Sequence, residues 1–375
     1  MIKIMSVFGT RPEAIKMCPL VLELNKHTEI ESIVCLTGQH REMLDQVISI
    51  FGIKVDYNLD IMRSQQTLTT ITTNVLEKME EVLREVNPDL VLVHGDTTTS
   101  FVVALAAFYQ KVLVGHVEAG LRTYNKYSPF PEEMNRNLTG KIAELHFAPT
   151  INNKRNLEIE NIKENVFVTG NTVIDSFKTT VKPDYNYTDE SLKDINFFGK
   201  RIILMTAHRR ENLGKPLENI CKAVKKIAQE YEDVIIVYPV HLNPLVKETA
   251  NKILGNIENV KLISPIDVQD MHNIMSKSYL VMTDSGGLQE EAPSCGVPVL
   301  VMRTETERPE AVEAGTVKVV GVSEENIYIN AKELLDNIEA YNKMAKAINP
   351  YGDGHASERI TKIILNWFKC TSNKE

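Results

Sequence analysis

The amino-acid sequence predicts an α/β protein with two doubly wound domains, each built on a parallel β-sheet. The chain has 375 residues, which is enough for two domains of ordinary size. Short runs of aliphatic and β-branched residues alternate with helix-like segments in both halves of the chain. Because these runs carry apolar residues at odd and even positions alike, they are typical of strands that are covered on both faces.

The predicted elements follow one another in the order that this fold class requires. Strand-like runs occupy residues 2–8, 33–37, 90–94, 112–117 and 145–148 of the first half, and residues 202–206, 234–238, 260–263, 279–283, 297–302 and 317–320 of the second. Helix-like segments include residues 12–25, 69–86, 98–109, 216–229, 288–294 and, near the C-terminus, 356–368. The polar stretch 178–200 lacks clear periodicity, so we place the link between the domains near residues 170–200.

Composition and charge exclude several classes of protein. The chain carries 50 acidic and 42 basic side chains, for a net charge of −8, and it has no Lys/Arg-rich run of the kind that binds nucleic acid. Its longest apolar run, residues 101–109, is too short to span a membrane. The N-terminal residues show no signal-peptide pattern, so we expect a cytoplasmic protein. A few local cations are still sufficient to bind an anionic small ligand.

The spacing of cysteines and histidines does not indicate a disulfide framework or a metal site. The chain has five cysteines, an odd number, and no two of them form a C-x-x-C pair. Neither H-x-H nor H-x-x-x-H occurs in the sequence. We therefore expect mostly buried, reduced thiols and no bound metal ion.

Cationic residues follow the first predicted strand, at the edge where ligands bind in open parallel sheets. Gly9 forms a turn there, and Pro12 stands at the start of the next helix. Arg11 and Lys16 are then expected near the positive end of that helix, which suits a phosphate group. A tight turn with two solvated cations is the alternative interpretation.

The second half contains a similar segment after the predicted strand 279–283. Ser285, Gly286 and Gly287 open a helix there, and their hydroxyl and backbone N–H groups suit a pyrophosphate. A plain glycine turn is an equally good interpretation of this pattern alone. Glu291 lies one turn into the helix, where a ribose diol is a better partner for a carboxylate than a phosphate.

Carboxylates and histidines mark further strand ends. Asp96 and Glu118 each follow a buried run, and Glu132 lies a short distance beyond. Three carboxylates at the tips of one domain are typical of general acid/base chemistry, although Asp96 also suits the cap of the helix that begins near Thr98. Histidines at strand ends, each more often structural than catalytic, are His94, His116, His208 and His241.

A set of ordered motifs resembles the bacterial non-hydrolysing UDP-N-acetylglucosamine 2-epimerases. The motifs are GTRPEAIK (9–16), GQHREMLDQ (38–46), VHGDTTT (93–99), GHVEAGLRT (115–123), PEE (131–133), GNTVID (170–175), AHRREN (207–212), DSGG (284–287), QEEAP (289–293) and TERPE (306–310). The resemblance implies a glycosyltransferase-B-like architecture, in which two Rossmann-like domains face a cleft and the C-terminal helix crosses back to the first domain. It also implies domain bounds of 1–170 with 357–375 for the N-terminal domain, and 171–356 for the UDP-binding domain.

The same resemblance implies an isomerase that interconverts UDP-N-acetylglucosamine and UDP-N-acetylmannosamine without a cofactor. C2 of the sugar has no acidic proton, so its inversion requires loss of UDP from C1 together with removal of the C2 proton. Anti elimination leaves a 2-acetamidoglucal, and re-addition with protonation of the opposite face gives the epimer. The family supplies N-acetylmannosamine units for cell-surface polysaccharide, and a homodimer is expected.

The resemblance also implies roles for individual residues. Asp96, Glu118 and Glu132 are similar to the acid/base carboxylates, and His208 is similar to the group that stabilises the departing UDP. The division of work among the three carboxylates stays open. Positions that match nucleotide or phosphate contacts are Arg11, Lys16, Ser285, Gly286, Gly287, Glu291 and Arg308.

Some positions bear on a second ligand or depart from the family pattern. Certain family members bind a second UDP-N-acetylglucosamine as an activator, and the matching positions here are Gln39, Arg209 and His241. Glu42 and Gln65 stand where such members have Gln and Arg. Ile266 and Met271 replace residues that often lie near the uracil, so a base contact there is expected to be apolar or through the backbone.

Three other functions share part of this pattern. A hydrolysing 2-epimerase performs the same elimination but releases UDP and free N-acetylmannosamine. A retaining glycosyltransferase of the same fold uses the nucleotide half but has no need of the carboxylate cluster. A nucleotide-sugar sensor without catalysis has no need of either the carboxylates or His208.

Overall fold

The computed structural model describes residues 1–38, 41–61 and 66–372 of the chain. The chain divides into two compact units. Unit 1 comprises Met1–Thr179 and Tyr351–Glu375, and unit 2 comprises Thr180–Pro350. Within the described ranges, no helix is both long enough and apolar enough to cross a membrane.

Unit 1 is built on a parallel sheet. Its strands are β1 (Ile2–Phe8), β2 (Ile30–Leu36), β3 (Tyr57–Asn58), β4 (Leu90–His94), β5 (Leu113–Val117), β6 (Leu145–Ala148) and β7 (Val166–Val168). They form a seven-stranded sheet in the order β3-β2-β1-β4-β5-β6-β7, and every pairing between neighbours is parallel. The helices that connect them are α1 (Arg11–Leu24), α2 (Arg41–Phe51), α3 (Leu68–Val86), α4 (Thr98–Tyr109), α5 (Glu132–Ile142), α6 (Ile151–Ile159) and α7 (Thr172–Thr180).

Unit 2 repeats the plan with a six-stranded sheet. Its strands are β8 (Arg201–Thr206), β9 (Val234–Pro239), β10 (Val260–Ile263), β11 (Leu280–Thr283), β12 (Val299–Val301) and β13 (Val317–Val319). The strand order is β10-β9-β8-β11-β12-β13, again with parallel pairing throughout. Its helices are α8 (Glu190–Lys193), α9 (Lys215–Glu230), α10 (Pro244–Leu254), α11 (Val268–Ser276), α12 (Gly286–Glu291), α13 (Pro309–Glu313), α14 (Glu324–Asp336) and α15 (Ile338–Ala345), with short 3₁₀ turns at Arg210–Asn212 and Ala292–Cys295.

Each sheet is buried against helices, as the apolar runs predict. In unit 1, Val91 and Val93 of β4 pack in one cluster with Val75 and Met79 of α3. In unit 2, β8, β9 and β11 pack with the apolar stripe of α9, which includes Ile220. Burial of whole aliphatic side chains contributes about 1.5–3 kcal/mol each, so these layers supply most of the stabilisation of both units. The two parallel-sheet α/β units confirm the predicted fold class.

The last helix, α16 (Ala356–Ser372), belongs to unit 1, where it packs against α1. Asp175 of α7 holds its first turn: the Asp175 carboxylate accepts hydrogen bonds from the backbone N–H groups of Ala356 (3.1 Å) and Ser357 (2.8 Å). Free N–H groups at the start of a helix need acceptors, and a carboxylate is favourable there. The return of the C-terminal helix to the first unit is therefore confirmed, and a side chain distant in sequence anchors it.

The strand orders decide where a ligand site lies in each unit. The order reverses between β1 and β4 in unit 1 and between β8 and β11 in unit 2. Crevices open beyond the carboxyl ends of parallel strands at such reversals, because the connecting helices lie on opposite faces. Gly9 and Gly95 follow the two strands of the first reversal, and Ala207 and Asp284 follow those of the second.

The structure also contains elements that the periodicity does not reveal. The strands β3 and β7 are short and lie at the two edges of the first sheet. Residues 180–200 fold as part of unit 2 rather than as an open connection. The fully buried Asp270 holds them by accepting hydrogen bonds from Tyr185 Oη, Thr188 N and Asp189 N at 2.8–2.9 Å. Such a long-range contact leaves no periodic signal in the sequence.

We expect Asp175→Ala to lower the free energy of unfolding of unit 1 by about 1–2 kcal/mol, because two N–H groups at the start of α16 lose their acceptor. Chemical denaturation followed by circular dichroism measures the change. Asp45→Ala, which removes an exposed carboxylate in the same unit, is the control and should stay within about 0.5 kcal/mol of the wild type. Equal stability of the two variants would contradict the anchoring role of Asp175.

Candidate active site

The turn between β1 and α1 is held by a buried carboxylate. Glu13 is 2% exposed and accepts hydrogen bonds from the backbone N–H groups of Gly9 (3.0 Å) and Thr10 (2.8 Å). It also accepts from the hydroxyls of Thr97 (2.7 Å) and Ser100 (3.0 Å) at the start of α4. Glu13 therefore joins the two sides of the first strand reversal. Gly9 is required there, since a Cβ would stand 1.9 Å from Thr37 Oγ1.

Glu118 lies just beyond β5 with an unusual backbone conformation. Its φ is +62°, a left-handed value that ordinary side chains rarely adopt. Its carboxylate forms an ion pair with Lys16 Nζ and accepts a hydrogen bond from Asn171 Nδ2 (2.9 Å). His94 Nε2 lies 3.6 Å from the same oxygen. Strain of this kind clusters at functional sites, and here it turns the carboxylate toward three polar partners.

These partners keep Glu118 ionised. Burial raises the pKa of a carboxyl group, but the charge of Lys16 and the neighbouring His94 hold the pKa of Glu118 well below its usual range. The ionised carboxylate is the form that can accept a proton. Lys16 was predicted to lie near a phosphate, and the structure places its ammonium on Glu118 of the same unit.

Asp96 is held by Arg136 of α5. Both Nε (3.0 Å) and Nη2 of Arg136 contact Asp96 Oδ2, and Nη1 contacts Glu133 Oε2 at 3.1 Å. The nearly buried Glu133 in turn accepts from the backbone N–H groups of Thr123 and Tyr124 (both 3.0 Å). Arg136 therefore connects the loop after β4 with the loop after β5.

The alternative prediction, that Asp96 caps α4, is wrong. The residue that caps α4 is Thr97, whose hydroxyl accepts from Ser100 N at 3.0 Å. Asp96 stands one residue too early for this role, and its side chain is committed to Arg136. The carboxylate of Glu118 lies next to the same turn, with Oε1 3.6 Å from the Cβ position of Gly95. The structure thus brings Asp96 and Glu118 together beyond β4 and β5.

Glu132 is the first residue of α5 and differs from its neighbours. Its Oε2 atom is buried and has no hydrogen-bond partner among the described residues. An unsatisfied buried oxygen is costly, by about 1–3 kcal/mol, so it indicates a position where a ligand group supplies the missing donor.

In unit 2, His208 follows β8 and lies beside Asp284. Its Nδ1 is 3.4 Å from Asp284 Oδ1, and its ring stacks on the ring of His241 with centroids 5.3 Å apart. Burial lowers the pKa of His208, against the opposing effect of the Asp284 charge. Tyr238 Oη donates to the carbonyl of Ala207 (2.7 Å) and so fixes the end of β8.

The start of α12 carries two guanidinium groups. Nη2 of Arg308 and Nη2 of Arg209 lie 3.6 Å and 3.7 Å from the Cβ position of Gly286. The side chain of Ser285 makes no capping hydrogen bond to the helix. Two cations and free helix N–H groups around a glycine suit an anion such as a phosphate. The structure therefore brings Ser285, Gly286 and Arg308 together and adds Arg209 to them.

We call the group formed by Arg209, Arg308 and Gly286 the anion cradle. Acidic side chains of α12 lie next to it. Arg308 Nε contacts the buried Glu290. The other acidic residue of this helix, Glu291, lies 3.5 Å from Nε2 of the buried His272. Ile266 is buried and Met271 is half-buried, which agrees with an apolar environment at these positions.

Other residues singled out in the sequence serve structure. His116 Nε2 donates a 2.7 Å hydrogen bond to the Gly95 carbonyl, and burial lowers the pKa of His116 to about 3. Burial likewise lowers the pKa of His146 to about 4. The cysteines are unpaired, and Cys18, Cys35 and Cys221 are buried. No group of His, Cys, Asp and Glu side chains in the described ranges is arranged to hold a metal ion.

The positions predicted for a second substrate molecule are only partly visible. Gln39 lies outside the described residues. Arg209 lies at the anion cradle, and His241 lies against His208. Both residues are therefore close to groups expected to handle the primary substrate.

Sequence reasoning missed several residues that organise the site: Asn171, Arg136 and Asp284. Asn171 and Asp284 both stand in motifs quoted above, and Asp284 directly follows a buried strand. Arg136 is one of many charged residues on an amphipathic helix. Its contact with Asp96 spans 40 positions, so no local pattern indicates it.

Two Rossmann-like sheets with polar groups at their strand reversals place the chain in the class of two-domain, doubly wound α/β proteins. A glycosyltransferase of kitacinnamycin, 11% identical over 97% of this chain and 98% of its own, shares the fold alone, with a TM-score of 0.65. The family model of UDP-N-acetylglucosamine 2-epimerase matches residues 22–365. The chain belongs to the UDP-N-acetylglucosamine 2-epimerase family.

Individual relatives agree with this assignment. The UDP-N-acetylglucosamine 2-epimerase of Bacillus subtilis is 58% identical over 367 residues, which cover 97% of this chain and 95% of that protein. A solved structure from Listeria monocytogenes is 56% identical, covers 98% of this chain and 97% of that one, and has a TM-score of 0.93. The UDP-GlcNAc 2-epimerase of Neisseria meningitidis, solved bound to UDP-GlcNAc, is 51% identical over 97% of this chain and 100% of that one, with a TM-score of 0.88.

We expect Arg308→Ala to weaken UDP binding by at least about tenfold, because the anion cradle loses one of its two cations. Isothermal calorimetry with UDP measures the change, and a thermal melt establishes that unit 2 stays folded despite the exposed partner Glu290. Lys225→Ala, which removes an exposed cation on α9, is the matched control and should bind UDP normally. Unchanged UDP affinity in the folded Arg308 variant would refute its role.

Proposed function

We propose that this chain reversibly epimerises UDP-N-acetylglucosamine to UDP-N-acetylmannosamine without net hydrolysis. The observation that carries the proposal is the pair of carboxylates beyond β4 and β5, Asp96 and Glu118, each held by a cation. The family supports the substrate, and the Neisseria meningitidis relative was solved with UDP-GlcNAc bound.

The chemistry explains why such carboxylates are needed. The C2 proton of the sugar is not acidic until the C1–O bond to UDP begins to break. As UDP leaves, C1 becomes positively charged, and a base removes the proton from C2 to give a 2-acetamidoglucal. UDP then adds back to C1 while an acid delivers a proton to the other face of C2. The reaction therefore requires a base and an acid that act on opposite faces.

Unit 1 carries groups suited to these proton transfers. Glu118 is kept ionised by Lys16 and His94, which makes it a proton acceptor at neutral pH. Asp96 follows Gly95, whose Cβ position lies 3.6 Å from Glu118 Oε1, and Arg136 orients the Asp96 carboxylate. Glu132 brings a buried oxygen that has no donor in the described chain, so a substrate hydroxyl or amide suits it. We assign proton transfer to these three carboxylates.

Unit 2 carries groups suited to the nucleotide. The guanidinium groups of Arg209 and Arg308 at the start of α12 match the charge of a pyrophosphate. We assign the ribose diol to Glu291, because carboxylates accept hydrogen bonds from ribose hydroxyls in other doubly wound folds. His208 then stabilises the negative charge that develops on UDP as it departs. We further propose that the enzyme is a cytoplasmic homodimer that supplies N-acetylmannosamine units for cell-surface polysaccharide. This part of the proposal rests on the family resemblance.

Incubation of the protein with UDP-N-acetylglucosamine in D₂O tests the reaction directly. We expect NMR to show both UDP-linked epimers with deuterium at C2, because the removed proton exchanges with solvent before re-addition. Release of free N-acetylmannosamine would identify the hydrolysing reaction instead. If neither deuterium incorporation nor a second sugar appeared, the proposed function would be wrong.

Asp96→Asn and Glu118→Gln each test one carboxylate. We expect turnover to fall by at least about 100-fold in both variants, because an amide neither accepts nor delivers the proton. UDP affinity, measured by calorimetry, should stay near the wild-type value since the nucleotide is assigned to unit 2.

Glu164→Gln removes an exposed carboxylate of the same unit and serves as the control, with normal turnover expected. A variant of Asp96 or Glu118 with near-normal turnover would remove that residue from the acid/base set.

A further inference from the structure

Asp284 is completely buried at the end of β11, and one of its oxygens is fully engaged. Oδ2 accepts hydrogen bonds from the backbone N–H groups of His208 (2.8 Å) and Arg209 (2.9 Å), and from Asn212 Nδ2 (3.0 Å). Three donors on one oxygen compensate for the burial of that oxygen. They also bind the chain after β8 to the chain after β11, across the strand reversal of unit 2.

The other oxygen of Asp284 lies beside the ring of His208. In the described part of the chain, Oδ1 is buried without a hydrogen-bond partner, and Nδ1 of His208 lies 3.4 Å away. A buried carboxylate oxygen without a donor is costly, so the nearest group able to donate is the expected partner. Nδ1 of His208 is the group that the structure places beside Oδ1, so Nδ1–H is the expected donor.

The ring of His208 is fixed on its flat side as well. The rings of His208 and His241 are 10° from parallel, with their centroids 5.3 Å apart. The side chain of His208 is 37% exposed although Asp284 is entirely buried. The edge of the ring that carries Nδ1 faces the buried carboxylate, so the edge that carries Nε2 is the one directed away from it.

We propose that Asp284 is a positioning residue for His208, which it holds with Nδ1 protonated and Nε2 available to the substrate. The pair is an Asp–His dyad in which the carboxylate sets the tautomer of neutral histidine and stabilises its protonated form. The charged form then presents Nε2–H to the oxygen of the departing UDP. This role for the dyad rests on the proposed function, whereas the tautomer itself does not.

The charges around His208 oppose one another. Asp284 at the end of β11 and Glu211 in the 3₁₀ turn favour its protonated form, whereas Arg209 beside it and His241 beyond β9 disfavour that form. Removal of the Asp284 charge therefore shifts the protonation of His208 toward lower pH. The activity that depends on protonated His208 is then lost at a lower pH than in the wild type.

The tautomer is measured by two-dimensional ¹H–¹⁵N NMR of the full chain, at a pH where His208 is neutral, with the His208 signals assigned through their loss in His208→Gln. We expect Nδ1–H in the wild type. Asp284→Asn keeps the shape of the side chain, and its amide oxygen can still accept from the backbone. Its NH₂ group then faces Nδ1, so we expect the Nε2–H tautomer in this variant.

Catalysis gives a second readout. We expect Asp284→Asn to lower kcat for C2 deuterium exchange by about 100-fold or more, with UDP affinity changed less than about threefold. The alkaline limb of the pH–rate profile should move to lower pH. Asp194→Asn replaces an exposed carboxylate of unit 2 and is the control, with the wild-type tautomer of His208 and wild-type kcat expected.

The wild-type spectrum tests the proposal even if Asp284→Asn fails to fold. An Nε2–H tautomer of His208 in the wild type would overturn the proposal. An unchanged tautomer in the folded variant would also overturn it. If the wild type shows Nδ1–H but no exchange at C2, the dyad is supported and the proposed function is what fails.

Discussion

A carboxylate withdrawn from water needs hydrogen-bond donors or a cation, and this requirement organises the strand ends of both units. In unit 1, Glu13 accepts hydrogen bonds from four donors in the turns after β1 and β4, and Glu118 accepts from Lys16 and Asn171. In unit 2, Asp284 collects three donors from the segment after β8. Apart from the local contacts of Glu13 with Gly9 and Thr10, these contacts join segments far apart in the chain, so buried carboxylates hold the strand ends at each reversal together.

The buried carboxylates fall into two groups according to their remaining oxygens. Glu13, Glu133 and Asp270 have donors on both oxygens and serve as joints within one unit. Glu132 Oε2 and Asp284 Oδ1 are buried with no hydrogen-bond partner in the described ranges. Natural proteins rarely leave such atoms unsatisfied without a reason. A buried carboxylate oxygen without a hydrogen-bond donor therefore distinguishes the residues suited to chemistry from those that hold the scaffold. Glu132 and Glu133 differ in this way although they are neighbours in sequence.

The two units divide the work expected of a UDP-N-acetylglucosamine 2-epimerase according to charge. The carboxylates Asp96 and Glu118 lie at the strand ends of unit 1, where we assign proton transfer. Arg209 and Arg308 meet at the start of α12 in unit 2, where an anion is to be held. The net charge of −8 therefore conceals a local concentration of cations. Within each unit, the parallel strand order brings such groups to one edge, because every strand of a parallel sheet ends at the same edge.

The sequence by itself determined the α/β class, most of the strands, and the positions of Asp96, Glu118, Glu132 and His208, because periodicity and strand-end motifs are local. Tertiary structure alone decided how these residues are held. Arg136 contacts Asp96 across 40 positions, Lys16 contacts Glu118 across 102, and Asp284 contacts His208 across 76. No local pattern encodes such pairs, since the energy of an ion pair or hydrogen bond depends on distance in space and on burial, which exist only once the sheets have formed.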